Sequence, residues 1–226
     1  MRSMKDAEII EGTISFVKET LREAEGGHDW FHIQRVFNNA LHIAKTEKVD
    51  VQVVSLGALL HDIADAKFHN GDESVGPTLA KSFLQSLKVP KSTIAHVVQI
   101  IQNISFKNSL TKDKVQPFNS KELQVVQDAD RLDAMGAIGI ARAFNYGGFK
   151  NRKLYDPKIA PNPHLTKTQY KNSNAPTINH FYEKLLLLKD KMNTNTGKRL
   201  AQERHQFMLN YLEQFYREWN PMEPRS

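Results

Sequence analysis

An apolar run, Val53-Val54-Ser55-Leu56-Gly57-Ala58-Leu59-Leu60, ends in an ionisable pair, His61-Asp62. A buried charge without a partner is costly, so a doublet at the end of a core segment is expected to be paired or metal-bound. Taken alone, it also fits an Asp that orients a structural His. Two further segments share its chemistry: Gly27-His28-Asp29-Trp30-Phe31-His32-Ile33-Gln34-Arg35 and Gln127-Asp128-Ala129-Asp130-Arg131-Leu132-Asp133. Each sets imidazole or carboxylate beside small or apolar residues, with a cation within a few positions: Arg35, Lys67 and Arg131. Imidazole and carboxylate together suit a divalent transition metal. The neighbouring cations suit an anion such as phosphate.

His28 and His32 stand four residues apart and would share a helix face. His28 follows Gly26-Gly27, however, and Asp29 is a candidate N-cap, so His28 reads as a substrate contact. Lys67 reads as a phosphate contact, against a plain helix-end lysine. His69 reads as a substrate contact, with proton donor or second-metal ligand as alternatives. Asp128 and Asp133 flank Asp130 and would orient it or pair with Arg131. Asp133, one turn after Asp130, could also touch water or substrate, and Arg142 and Tyr146 extend that face. His42, His96, His180 and His205 read as structural, with His96 the one to check.

The elements that must carry these groups are helical. Ile10, Ile14, Val17 and Leu21 recur at three- and four-residue steps, with Gly26-Gly27 as the stop. A second helix is expected over 29–48, with Val36, Ala40, Ile43 and Ala44 buried. A third, over 51–64, is apolar nearly all round and so central. Leu79, Phe83, Leu84 and Leu87 mark a fourth before Pro90; Ile94, Val97, Val98 and Ile101 mark a fifth. Asn119 with Glu122 fits a capping box for a sixth helix running to about residue 146. Close helix packing would account for Gly136 and Gly139 in it. Phe181, Leu185 and Leu188 pattern one C-terminal helix, and Leu200, Phe207, Met208, Tyr211, Leu212 and Phe215 another.

The chain has 226 residues, enough for a substantial core. With no cysteine, disulfides, iron–sulfur clusters and thiolate zinc sites are excluded, which fits a reducing cytoplasm. The N-terminus lacks the apolar stretch of a secretory signal, and the longest aliphatic run, Leu185 to Leu188, is far too short to span a bilayer. A soluble, cytoplasmic protein is expected. The net charge of +6 is concentrated between Gly147 and Thr177, where Lys150, Arg152, Lys153, Lys158, Lys167 and Lys171 face only Asp156. A loop of that length is usually a lid or a linker. Lys150 and Arg152 are its candidate phosphate contacts. One domain is expected over 1–226: a core over 27–148, a loop over 147–177 and C-terminal helices over 178–220.

His32-x-x-Arg35-Val36, then His61-Asp62, then Asp130-Arg131-Leu132 resembles, in order, the motifs of the HD-domain metal-dependent phosphohydrolases. The strings His61 to His69 and Gln127 to Ala134, with Tyr146-Gly147-Gly148, look like a bacterial subgroup described as manganese-dependent nucleoside triphosphate pyrophosphohydrolases. The resemblance implies an all-α HD-domain helical bundle. It implies metal ligands His32, His61, Asp62 and Asp130, and Mn²⁺ as the ion; spacing alone also admits Fe²⁺, Ni²⁺, Co²⁺, Zn²⁺ or Mg²⁺. His61 and Asp62 lie about 100° apart around a helix, and side chains of different length would let them converge. Asp65 falls where related enzymes hold an acidic residue beside the attacking water, so it is the candidate general base, and Lys67 and His69 are grouped with it as catalytic candidates. The ion would acidify water and polarise a phosphoryl oxygen.

The expected reaction is hydrolysis of a nucleoside or deoxynucleoside triphosphate to monophosphate and pyrophosphate. His28, Arg35, Arg131, Asp133, Arg142, Tyr146, Lys150 and Arg152 are the candidate substrate contacts. The partner is a phosphorylated small molecule; a homodimer is allowed. Other family substrates are nucleoside monophosphates, guanosine tetraphosphate and cyclic nucleotides. The Gly-Tyr-Pro motif of cyclic-di-GMP enzymes is absent, and Asp65-Ala66 stands where the tetraphosphate enzymes carry Glu-Asp. A nucleic-acid or regulatory module using the basic loop, with Phe149, Tyr155 and Tyr170 to stack on bases, ranks behind catalysis. Such a module would not need the His and Asp set intact.

Overall fold

A computed structural model of the chain describes residues 4–23, 29–64, 72–104, 118–164 and 173–221. Every regular element among them is helical, as the periodicity predicts. The chain divides into two compact units, Met1–Asp130 and Arg131–Ser226.

The first unit holds α1 (Met4–Thr20), α2 (Trp30–Ala44), α3 (Val51–Leu60), α4 (Val75–Ser86), α5 (Lys91–Asn103) and most of α6 (Lys121–Asp133). All eight residues from Val53 to Leu60 are buried, and α3 packs on α1, α2 and α5. Each fully buried Val or Leu of this helix contributes about 1.5–3 kcal/mol. Asp50 starts α3 by accepting the amides of Gln52 at 2.9 Å and Val53 at 3.2 Å. The Asp50 amide in turn donates to Glu122 Oε1 at 2.9 Å, tying the start of α3 to the start of α6.

Gly57 lets α3 approach its neighbours closely: a Cβ there would stand 3.3 Å from Ile100 and 3.4 Å from Val126. Gly57→Val is expected to lower stability by about 1–3 kcal/mol through overpacking. A urea midpoint equal to the wild type would show that the packing can relax.

Several boundaries differ from the sequence expectation. α1 ends at Thr20, and Gly26-Gly27 lie outside the described residues. Helix α2 ends at Ala44 and α3 at Leu60. His61 caps α3 with φ −63° and ψ −27°, its Nδ1 2.9 Å from the Ala58 carbonyl oxygen. A ring donating to one of the last carbonyls satisfies a group that a continuing helix would have used.

The helix expected over 119–146 is two, α6 and α7 (Gly136–Phe149). Gly136 has φ +68°, a left-handed turn that glycine adopts readily and that ends the run. A Cβ on Gly139 would stand 2.3 Å from the Ala134 oxygen, so Gly139 shapes the α6–α7 junction, whereas a Cβ on Gly136 would meet the Arg204 side chain at 3.1 Å, the close packing expected there. The cap of α6 is Ser120, whose Oγ accepts the Leu123 amide at 3.1 Å; the Asn119 side chain accepts from Gln124 instead.

The second unit holds α7, α8 (Thr177–Glu183), a 3₁₀ segment (Leu185–Lys191) and α9 (Asn195–Trp219). The single helix expected around Phe181 to Leu188 breaks at Lys184, whose φ is −145°. Phe181 is fully buried between Phe144 and Tyr211, with centroids 6.0 and 6.1 Å away. The described part of the basic loop is tied to this unit. Thr177 and Ile178 amides donate to the Lys153 and Leu154 carbonyls at 2.9 and 3.0 Å. Tyr155 packs edge-on against Phe215, Tyr216 and Trp219.

Candidate metal centre

His32 sits in the first turn of α2. Asp29 caps that helix by accepting the His32 amide at 3.0 Å, which fixes where the imidazole emerges. His61 leaves the end of α3, Asp62 follows in the turn, and Asp130 lies on the last turn of α6. Three helix ends of the first unit therefore meet. The Asn39 amide of α2 reaches the Ala129 carbonyl at 3.5 Å, beside Asp130.

Ligand-capable atoms of His32, His61 and Asp62 lie within 4.8 Å of one another. Asp130 Oδ1 is 3.6 Å from His32 Nε2 and 3.8 Å from His61 Nε2, and Asp62 Oδ2 is 4.0 Å from His32 Nε2. Both imidazoles are buried, whereas the Asp130 side chain is 40% exposed, so the cluster opens on its carboxylate side. Two imidazole nitrogens and two carboxylates suit a borderline divalent ion. The Ala58 carbonyl takes the Nδ1 proton of neutral His61 and leaves Nε2 as the donor atom, the usual arrangement of a metal-binding histidine.

Electrostatics follow from the same crowding. Burial, the largest influence on His61, disfavours its charge. The hydrogen bond to Asp130, the charges of Asp130 and Asp62 and the Ala58 carbonyl outweigh it and raise the imidazole to about 9. A bound ion would have to displace the proton that this raised value favours on His61.

Of the other sequence candidates, Arg35 is half-buried on α2, one turn after His32. His28, Asp65, Lys67 and His69 lie outside the described residues. The remaining six belong to the second unit. Arg131 Nη1 donates to the Lys191 carbonyl at 2.6 Å. Asp133 is buried and paired with Arg142 Nη1 at 2.5 Å. Lys150 lies 5.7 Å from the Tyr146 centroid and 5.0 Å from that of Phe149; Arg152 lies 5.6 Å from Tyr146 and donates to the Ser173 carbonyl at 2.6 Å. Lys153 pairs with Asp156 at 2.8 Å. His96 contacts Ser120 Oγ at 2.9 Å and Glu122 Oε2 at 3.6 Å, which ties it to the start of α6. Sequence reading missed Arg204 of α9, which donates to the Leu132 carbonyl. A lone arginine on an amphipathic helix carries no local signal.

Burial, then the charges of Lys184 and Arg152, depress His180 to about 3. Its folded value lies below the ordinary 6.5, so the stability it contributes is full above about pH 6.5 and is lost as pH falls towards 3. Between pH 7 and pH 5 the wild type is expected to lose about 1–2 kcal/mol from this group, allowing for partial solvent screening. His180→Gln should remove that increment. Equal losses in both proteins by urea titration would refute the assignment.

Residues 30–135, from α2 to just past α6, match the HD domain family and contain all four clustered side chains. An uncharacterised protein of Bacillus subtilis (strain 168), YpgQ, is 37% identical over 218 residues, 95% of this chain and 94% of that protein. The crystal structure of an HD-superfamily hydrolase from Bacillus thuringiensis superposes with a TM-score of 0.75 at 43% identity, covering 95% of this chain and 98% of that one. YpgQ in complex with ADP superposes with a TM-score of 0.76 at 34% identity, covering 95% and 97%. With histidines and aspartates gathered from three helix ends inside the matched span, the chain belongs to the HD-domain family and is a metal-dependent phosphohydrolase.

Proposed function

We propose that the protein hydrolyses nucleoside or deoxynucleoside triphosphates to monophosphate and pyrophosphate, using Mn²⁺ held by His32, His61, Asp62 and Asp130. The observation that carries this reading is the approach of two buried imidazole nitrogens to an Asp130 oxygen within 3.8 Å. Two imidazole nitrogens and two carboxylates would hold such an ion. When bound, the ion supplies Lewis acidity towards a phosphoryl oxygen and lowers the pKa of water.

The chain's own residues then have separate tasks. His61, fixed by Ala58, presents Nε2 and not a proton. Asp65 takes the proton of water attacking the α-phosphorus, and the bond to the bridging oxygen of pyrophosphate breaks. His28, Lys67 and His69 are assigned to the substrate's phosphates, together with Arg35 and Arg131. Asp133 acts with Arg142 at the end of α6. Tyr146 and Phe149, 44% and 66% exposed, offer ring faces for a base, with Lys150 and Arg152 beside them for phosphate. The ADP bound by YpgQ supports a nucleotide as the ligand. Both units are read as one working domain, because α6 carries Asp130 in the first and Asp133 in the second. No described helix is long and apolar enough to cross a membrane, and with no cysteine the reading places the protein in the cytoplasm.

The deciding experiment is a panel of nucleoside mono-, di- and triphosphates, guanosine tetraphosphate and cyclic nucleotides with Mn²⁺, Mg²⁺ or Zn²⁺. Pyrophosphate with monophosphate, fastest in Mn²⁺, is the expected product pair. Release of phosphate or triphosphate instead would reject attack at the α-phosphorus. The double variant Lys150→Ala/Arg152→Ala is expected to raise KM for the triphosphate about tenfold or more, since a charge-assisted hydrogen bond contributes about 1.5–3 kcal/mol. An unchanged KM would remove these two cations from the site.

A further inference from the structure

The last turn of α6 carries Asp130 and ends at Asp133. The side chain of Asp133 is 2% exposed. A helix C-terminus bears partial negative charge, so a buried carboxylate there is unfavourable both by desolvation and by the helix dipole. Two arginines offset it. Arg142 Nη1 lies 2.5 Å from Asp133 Oδ2 and 3.3 Å from the Asp133 carbonyl oxygen. Arg204, reaching across from α9, donates through Nη1 to the Leu132 carbonyl. Burial lowers the Arg204 guanidinium from its ordinary value, against the favourable charges of Asp133 and Glu203.

The path of Arg204 is prepared by the backbone. A Cβ on Gly136 would stand 3.1 Å from Arg204 Cγ and 3.2 Å from its Cβ, and the φ of +68° also favours glycine. The turn after α6 is thus shaped around the arginine stem. Replacing such buried ionic groups with apolar ones is often neutral or favourable for stability, so fixing one geometry is the better account of the network. Helix ends fray unless their carbonyls are satisfied. The geometry held here is that of the turn from which Asp130 reaches His32 and His61.

We propose that Arg204 is a positioning residue for Asp130: by bonding the Leu132 carbonyl and offsetting Asp133, it fixes the end of α6 at the orientation that metal binding requires. This rests on the metal reading given above for Asp130. Arg204 touches none of the ligand atoms in this scheme; it acts through two residues of helix.

The test is Mn²⁺ titration of metal-free protein followed by electron paramagnetic resonance, for wild type, Arg204→Met, Arg204→Lys, Arg204→Ala and His61→Ala. Helicity is checked by circular dichroism, and the titrations run well below each melting temperature. Arg204→Met is expected to bind Mn²⁺ about tenfold or more weakly. Arg204→Lys keeps the stem and the charge but not the planar fork, so it should fall between. Guanidinium ion added to Arg204→Ala should restore part of the affinity, which a general loss of stability would not allow. Folded Arg204→Met binding within twofold of wild type would overturn the proposal, as would failure of both Arg204→Met and Arg204→Lys to fold. Wild-type binding by His61→Ala would instead bring down the metal reading itself. Loss there with unchanged Arg204 variants would remove only the positioning role.

Discussion

His61→Ala and Asp130→Ala are each expected to lose stoichiometric Mn²⁺ binding and hydrolysis together, while helicity at 222 nm is retained. Residues that merely orient ligands change metal affinity about 10–100-fold, so removing a ligand is expected to cost more than about 100-fold. The fold is expected to survive because the site lies at helix ends. α3 keeps its eight buried residues and its packing on α1, α2 and α5. Asp130 is partly exposed, so its loss leaves no large cavity. Isothermal titration with Mn²⁺, alongside circular dichroism, separates the outcomes. Full binding or turnover in either variant would sink the ligand assignment. Loss of helicity would show that the cluster also holds the helix ends together.

Apparent Mn²⁺ affinity is expected to rise steeply with pH, by about tenfold per unit below pH 9. The cause lies in the metal-free protein, where His61 is held protonated up to about 9 by Asp130 and Asp62 against the opposing effect of burial. A metal ion needs the neutral imidazole and must displace that proton. The sign is fixed by the direction of the shift: below the raised value the proton competes, and above it the competition vanishes. From pH 6 to pH 8 the dissociation constant should therefore fall about 100-fold, with about one proton released per ion, as linkage requires. A flat affinity over that window, or no proton release into a weak buffer, would show that His61 is not charged when the site is empty.

The sequence by itself determined the all-helical architecture, because apolar residues at three- and four-residue steps have few other ways to bury one face. It also singled out a candidate site. An ionisable doublet closing an apolar helix is conspicuous in any linear reading, and His32 and Asp130 are marked by their own neighbours. In the structure Asp130 Oδ1 lies within 3.8 Å of both imidazole nitrogens and Asp62 Oδ2 within 4.0 Å of His32, residues up to 98 positions apart in number. Local pattern did less well at the helix ends. α3 stops at His61 because the imidazole takes the Ala58 carbonyl, and the long sixth helix divides because Gly136 turns left-handed. Neither event changes the apolar periodicity, so neither leaves a mark in it.

What only the tertiary structure decided was which internal partners the charged side chains take. Arg131, Arg142 and Lys153 look alike as cations available to a phosphate, yet each has an internal partner: the Lys191 carbonyl, Asp133 and Asp156. Arg204 has no distinguishing sequence context, and its role arises from reaching a carbonyl 72 residues earlier in the chain. Burial and hydrogen-bond partners belong to three-dimensional neighbours. A residue's type sets what chemistry it can do; the groups packed around it decide which of those it does, and that information is spread over the whole chain.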